Sequence, residues 1–186
     1  MWTSNLLVLR RLLDGRIRIP EEVVIEIMRR RPRSSRGYSV GMAQGDLRQF
    51  VSTGKAAVVC MELGSKQHDE FHRLVKGEFR GKRLGRGESA ALVHARFAPG
   101  IVASNNRGDI VPYCRSYGLQ WITATRMMVD AVSSNRLAFE EARHMWERMV
   151  REERRMPYPD FQSAWDNDAR PEAETAATLD RPLNEE

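Results

Sequence analysis

The chain has 186 residues, of which 41% are hydrophobic, and a formal net charge of +5. This size predicts one globular domain with an additional segment, and the apolar fraction is sufficient for a core. No apolar run approaches the ~18 residues of a membrane-spanning helix, the first residues do not resemble a signal peptide, and the two cysteines lack metal-like spacing, so we expect a cytoplasmic protein.

The charge is unevenly distributed along the chain. Residues 166–186 contain seven acidic residues and two arginines, a net charge of −5, which leaves about +10 on residues 1–165. The acidic segment lacks apolar periodicity and is predicted to be a disordered tail. A strongly basic body favours a polyanionic partner, nucleic acid first, although simple solubility explains the charge equally well.

The predicted elements alternate between helices and short apolar strands. In chain order they are a helix at 5–13, a helix opened by Pro20, an arginine-rich loop, a helix around 41–50, a strand at 56–61, a helix at 65–77, a glycine-rich basic loop, a helix from Glu88, a strand at 100–104, a helix from Asn106 to a stop at Gly118, a strand at 119–124, a helix capped by Thr125, and a helix from Phe139 that ends before Pro157. Strands separated by helices indicate an α/β fold with a parallel sheet, in which ligands bind at the carboxyl ends of the strands.

Three acidic residues stand out by their positions in these elements. Glu26 interrupts the apolar run VVIEIM, Glu88 begins a helix directly after the glycine-rich loop, and Asp109 lies in the first turn of the helix after a strand. Carboxylates are common at helix N-termini for electrostatic reasons, so Glu88 and Asp109 taken singly are better interpreted as caps. Glu26 taken singly is better interpreted as a boundary residue paired with an arginine.

Taken together, the segments IPEEVVIEI, GRGESAALVHA and ASNNRGDI resemble the PIN-domain family, which includes the VapC-like toxins of bacterial toxin–antitoxin pairs. The resemblance implies a three-layer α/β/α fold with a short parallel sheet over about residues 5–165. It also implies that Glu26, Glu88 and Asp109 are the catalytic acids and metal ligands.

Asn106 and Ser104 form the polar turn of the resembled site and are counted with its catalytic residues. The implied activity is that of a metal-dependent endoribonuclease with Mg²⁺ or Mn²⁺ as cofactor. Hard divalent ions bind carboxylate oxygens, relieve the repulsion between converging acids, activate a water and stabilise charge on a phosphate. The implied partners are RNA, an antitoxin protein and a second copy of the chain.

Basic residues around these acids are candidates for holding RNA phosphates. Arg83 and Arg86 precede Glu88, and Arg107 precedes Asp109, so we predict that these three arginines bind substrate. Phosphate contacts of this kind position a nucleic acid without reading its sequence. A non-catalytic RNA- or protein-binding module on the same fold is the alternative function.

The sequence departs from the family pattern at its start. PIN domains begin with a central strand that ends in an aspartate, whereas this chain begins at MWTSNLLVLRRLL, which is already the first predicted helix. Asp14 follows that helix and is no substitute. A translation start assigned too late is favoured over a truncated copy, because the remaining pattern is consistent. A chain that lacks this aspartate is expected to bind metal weakly and to cleave RNA poorly.

His68 and His72 lie four residues apart, which is a metal-like spacing on one helix face. The zinc-protease pattern requires glutamate directly after the first histidine, and Asp69 occupies that position in this sequence. The solvated face of an amphipathic helix is therefore the favoured interpretation, with a zinc site as the minor alternative.

Overall fold

The computed structural model describes residues 17–29, 37–151 and 156–168, and within them the chain is a mixed α/β protein, mostly helical with short parallel strands. In chain order its elements are β1 (Ile17–Pro20), α1 (Glu21–Arg29), α2 (Gly37–Ser52), β2 (Ala56–Val59), α3 (Lys66–Lys76), α4 (Arg86–Phe97), β3 (Ile101–Ala103), α5 (Arg107–Tyr117), β4 (Gln120–Ile122), α6 (Ala124–Ser133), α7 (Phe139–Arg151) and α8 (Phe161–Asp168). The predicted first helix, the tip of the arginine-rich loop and residues 169–186 of the predicted tail lie outside the described residues.

The strands form two separate parallel pairs. β1 pairs with β2, with Ile17 opposite Ala56, and β3 pairs with β4, with Val102 opposite Trp121. The parallel orientation agrees with the sequence prediction, but a single continuous sheet is not observed among the described strands. Each strand has only three or four residues, and α4 packs against both β1 and β3, so this helix connects the two pairs.

Local sequence signals explain where two of the helices end. Ser65 precedes α3, and its hydroxyl oxygen accepts a hydrogen bond from the backbone N–H of His68 at 3.2 Å. Gly77 follows α3 in the left-handed region at φ 85°, and Gly118 follows α5 at φ 63°. Glycine adopts this conformation without a steric cost, so both helix ends fall where the sequence predicts them.

Several predicted boundaries differ from the structure. Ile17–Pro20 is a strand that the sequence analysis missed, and α2 begins at Gly37 rather than near residue 41. Thr123 caps α6 by accepting a hydrogen bond from the backbone N–H of Arg126 at 3.1 Å. Thr125 is therefore not the cap. It lies in the first helical turn, whereas Thr123 has the extended backbone that an N-cap residue requires.

The buried side chains form two large clusters. One lies between α3, α4, α5 and the β3–β4 pair, and its largest fully buried members are Phe71, Leu74, Leu92, Val93, Ile110 and Tyr113. The other joins α6, α7 and α8 and includes Met145 and Trp146. The predicted domain end at residue 165 falls inside α8, which packs on this second cluster.

No helix in residues 17–29, 37–151 or 156–168 combines the length and apolar character needed to cross a membrane. The two cysteines form no disulfide. Cys60 is exposed and Cys114 is buried, and burial raises the pKa of the Cys114 thiol to about 11. Cys114 therefore stays protonated near neutral pH and serves as a small core residue.

Candidate active site

The turn after β3 is fixed by a buried serine. The Ser104 backbone N–H donates to the Ile122 carbonyl at 3.1 Å and so continues the ladder with β4. The Ser104 hydroxyl oxygen accepts a hydrogen bond from the backbone N–H of Asn106 at 3.1 Å, and the residue is only 7% exposed. Ser104 thus sets the direction in which the chain enters α5, with Asn106 as the N-cap residue.

The Asn106 side chain joins two acids from different helices. Its Nδ2 donates to Asp109 Oδ2 at 2.6 Å and to Glu88 Oε1 at 3.4 Å. Both acids lie three positions after the cap, Glu88 in the first turn of α4 and Asp109 in the first turn of α5. The structure therefore brings together four of the predicted site residues, Ser104, Asn106, Glu88 and Asp109. We refer to Asn106, Glu88 and Asp109 as the acid cluster.

Glu26 lies on α1 beside the start of α4, and the described residues show no group of three acids that would join it to Glu88 and Asp109. A Cβ added to Gly87 would lie 3.1 Å from Glu26 Oε2 and 3.2 Å from Val23 Cγ2, so α1 meets the start of α4 at a glycine. Glu88 Oε2 in turn occupies the space that a Cβ on Gly85 would take. Gly85 and Gly87 of the RLGRG segment, two positions apart at the start of α4, thus leave room for Glu88 and Glu26.

Lys82 is the cation that neutralises part of the acid cluster. Its Nζ lies 2.5 Å from Asp109 Oδ1 and 3.4 Å from the Gly108 carbonyl oxygen. Asp109 is 19% exposed and both of its carboxylate oxygens have a partner, because Asn106 holds the other one. The position of Lys82 in the basic loop before Glu88 predicts contact with a substrate near the metal, but not a pair with Asp109. No periodic pattern spans this loop, so the sequence carries no signal for the pair.

Two of the three predicted substrate-binding arginines are stacked on buried rings beside the acid cluster. The guanidinium carbon of Arg86 lies 4.9 Å from the centroid of the Phe71 ring, and that of Arg107 lies 5.2 Å from the Trp121 ring. Each arginine is the first residue of its helix, where a positive charge is unfavourable to the helix dipole. Arg83 is exposed in the loop. All three stand near the acids.

The donor set suits a hard divalent ion chemically, but its geometry is incomplete. Carboxylate and amide oxygens are ligands that Mg²⁺ accepts. Within the described segments, however, no three His, Cys, Asp or Glu side chains are arranged to hold one ion together. A metal at this site would depend first on Glu88 and Asp109.

A second polar cluster lies at the opposite ends of α4 and α5 and was not predicted. Glu70 accepts hydrogen bonds from Arg73 at 2.7 and 2.8 Å and from the Tyr113 hydroxyl at 2.6 Å, and it pairs with Arg96 at 2.7 Å. Tyr117 accepts from Arg73 at 2.9 Å and lies under the Arg96 guanidinium. Burial acts to raise the pKa of Glu70, but these donors outweigh it and hold the pKa below its usual value. We call these five residues the closed cluster.

Comparisons with known proteins leave the site to be interpreted from its geometry. The chain matches no protein-family model, and it has no significant match among curated proteins or solved structures. The fold and site define a mixed α/β protein whose acid cluster lies at the carboxyl end of β3, where α/β proteins bind ligands.

Proposed function

We propose that the chain is a metal-dependent endoribonuclease of the PIN-domain type, a toxin-like component of low activity. The observation that carries the proposal is the single amide of Asn106, which joins Glu88 and Asp109 from two helices. Two carboxylates that share one neutral amide repel each other, and a bound cation relieves that repulsion.

The proposed fold is supported by the arrangement of the strands. The pairs β1–β2 and β3–β4 are both parallel and both pack against α4, as expected of short parallel strands that alternate with helices. The acids also occur in the family order, on α1, α4 and α5.

The residues of the acid cluster have distinct parts in the proposed reaction. Glu88 and Asp109 would hold the Mg²⁺, which would supply an activated water and stabilise charge on the scissile phosphate. Asn106 fixes both carboxylates through its Nδ2. Ser104 keeps Asn106 in place by accepting its backbone N–H.

The basic residues beside the acid cluster support RNA as the substrate. Arg86 and Arg107 are held on aromatic rings, so little side-chain freedom is lost when they bind a phosphate. Arg83 adds an exposed charge in the loop before α4. An antitoxin and a second copy of the chain are supported by the family resemblance alone.

The test is cleavage of a single-stranded RNA by the full chain with Mg²⁺ or Mn²⁺, compared with Asp109→Asn. We expect slow cleavage that needs the metal and falls about a hundredfold or more in the variant, because the acid supports both metal binding and charge stabilisation. Asp69→Asn is the matched control, since Asp69 is an exposed first-turn acid of α3. Equal cleavage by wild type and Asp109→Asn contradicts the site assignment.

The pairing of Lys82 with Asp109 favours a second candidate, a non-catalytic RNA-binding module. In that case the lysine permanently neutralises the acid and no metal is needed. Metal-independent RNA binding, with no cleavage at any Mg²⁺ or Mn²⁺ concentration, is the result that selects this candidate over the ribonuclease.

A further inference from the structure

The rings of His68 and His72 on α3 are in direct contact, which is not needed for two solvated side chains on one helix face. His68 Nε2 and His72 Nε2 lie 3.1 Å apart, and the ring centroids are 4.4 Å apart at an interplanar angle of 80°. Both residues are half-buried rather than solvated, which corrects the favoured interpretation of the sequence. The Nε2 atoms of the two rings are thus direct neighbours beside the helix.

This separation matches the spacing of two ligands on one metal ion. Zn²⁺ binds histidine nitrogen at about 2.0–2.1 Å, and a tetrahedral angle then places two such nitrogens about 3.3 Å apart. The observed 3.1 Å differs from this value by an amount that a small ring rotation supplies. No rotamer change is needed to bring both nitrogens to a single ion.

The packing around the pair holds the rings in this position. The His72 ring lies edge to face against Phe71, with centroids 5.4 Å apart, and Phe71 is only 2% exposed. The backbone N–H of His68 is anchored by the Ser65 cap in the first turn of α3. A chelate across one turn of a capped helix therefore has little ordering entropy to overcome.

We propose that His68 and His72 bind a divalent transition-metal ion of the Zn²⁺ class through their Nε2 atoms. Imidazole suits zinc, copper and nickel, whereas Mg²⁺ takes oxygen ligands, so this site is chemically distinct from the acid cluster. No third His, Cys, Asp or Glu of the described residues completes the ligand set. Water or a group from another molecule occupies the remaining positions, so the site is open rather than a closed structural one.

The competing interpretation is a hydrogen bond between two neutral imidazoles. A separation of 3.1 Å also suits an N–H donor on one ring and a lone pair on the other. The two interpretations differ in one measurable respect, since only the chelate gives the chain an affinity for Zn²⁺ that needs both histidines.

The test is a calorimetric titration of the full chain with Zn²⁺ in the Asp109→Asn background, which keeps the acid cluster from contributing. We expect one Zn²⁺ per chain, with affinity reduced at least about tenfold in both His68→Gln and His72→Gln. His144→Gln is the matched control, because His144 is an exposed histidine on α7. Zn²⁺ should also raise the melting temperature of the parent chain and of His144→Gln, which both keep His68 and His72, because Zn²⁺ binds the folded state.

Two results overturn the proposal: no Zn²⁺ binding by the parent chain, or binding that survives the loss of either histidine. Far-ultraviolet circular dichroism without metal shows whether each variant is folded. If His72→Gln unfolds through lost packing on Phe71, the imidazole resonances of the unaltered chain decide instead, because only ligated rings shift with one equivalent of Zn²⁺. Either failure leaves the ribonuclease proposal untouched, since that proposal depends on oxygen ligands.

Discussion

Helices α4 and α5 carry a polar cluster at each end, and the two clusters differ in how completely their charges are matched. In the closed cluster, Glu70 is surrounded by two arginines and a tyrosine hydroxyl, and its side chain is 10% exposed. In the acid cluster, Glu88 and Asp109 share the Asn106 amide, and the mostly exposed Lys82 pairs with Asp109.

This difference separates a structural network from a candidate site. A fully hydrogen-bonded buried carboxylate rigidifies the packing and has no capacity left for an external ligand. Carboxylates with fewer donors and access to solvent keep acceptor positions for a cation from outside. Helices α4 and α5 therefore have one end that is fixed by the closed cluster and one end, at the acid cluster, that can bind a cation.

Glu70→Gln gives the largest expected effect on stability. It leaves Arg73 and Arg96 without their shared charge, and since both arginines are about one-third exposed we expect a loss of about 2 kcal/mol rather than the full cost of a broken buried pair. Urea unfolding measures it. Glu78→Gln, an exposed glutamate in the next loop, is the control.

The pH dependence of the Glu70 contribution has a definite sign. The pKa of Glu70 is lowered in the folded state, so its stabilisation is fully present at neutral pH and is lost as the pH falls through that lowered pKa. The difference between wild type and Glu70→Gln should therefore shrink in acid. A difference that is constant with pH would mean that the charge of Glu70 is not what stabilises the closed cluster.

The equivalent change at the other end, Glu88→Gln, should alter the free energy of unfolding by less than about 0.5 kcal/mol, because it removes one of two repelling acids and only a weak hydrogen bond. Urea unfolding under the same conditions measures it. A loss as large as that of Glu70→Gln would show that the acid cluster is structural after all.

Arg86→Gln and Arg107→Gln test whether the arginines next to the acid cluster bind RNA. Each change should weaken binding about equally for different RNA sequences and reduce the slope of log affinity against log salt by about 1, since each arginine is proposed to contact one phosphate. Arg143→Gln is the control, because Arg143 already pairs with Glu140 and Glu147 on α7. Fluorescence anisotropy over a salt series gives both quantities; an unchanged slope contradicts the contact.

Lys82→Gln tests how strongly the acid cluster binds a metal ion. Lys82 competes with an external cation for Asp109 Oδ1, and a largely exposed ion pair contributes up to about 1 kcal/mol. We therefore expect Lys82→Gln to bind Mn²⁺ up to about fivefold more tightly than the wild-type chain does. Arg83→Gln removes the same charge from an exposed arginine of the same loop, so it shows how much of the gain is general electrostatics.

How much the sequence revealed depended on whether the signal was local. The limits of α3 follow from Ser65 and Gly77, whose side-chain chemistry and backbone freedom act within one helical turn. The grouping of Asn106 with Asp109 is also local, since three residues separate them. The helical spacing of Met145 and Trp146 on α7 is a local signal too, because helical periodicity indicates which face is buried.

Features that depend on tertiary packing were missed or placed wrongly. The strand Ile17–Pro20 has the alternating sequence IRIP, but so short an alternation is a weak signal, and its pairing with Ala56–Val59 defines the strand. The separation of the strands into two pairs depends on how α4 packs. The contact between Lys82 and Asp109 crosses from a loop to a helix, and nothing in the intervening residues encodes it.

The smallest expected effect comes from a matched pair of glycines. Gly87 and Gly108 are both the second residue of a helix, each between an arginine and an acid. A Cβ on Gly108 meets nothing within 4 Å, so Gly108→Ala should stabilise the chain by about 0.5 kcal/mol through the reduced entropy of the unfolded state. A Cβ on Gly87 instead presses on Glu26 and Val23.

Gly87→Ala should therefore lose the gain that Gly108→Ala shows. The Glu26 carboxylate is at the end of a long side chain, whereas Val23 Cγ2, 3.2 Å from the added carbon, belongs to a short and stiff one, so α1 must shift. Parallel denaturant titrations of the two variants measure the difference, and Mn²⁺ affinity measures whether displacing Glu26 matters to the acid cluster. Equal stabilisation by both substitutions would show that α1 does not approach α4 closely, and Glu26 would then have no place among the site's acids.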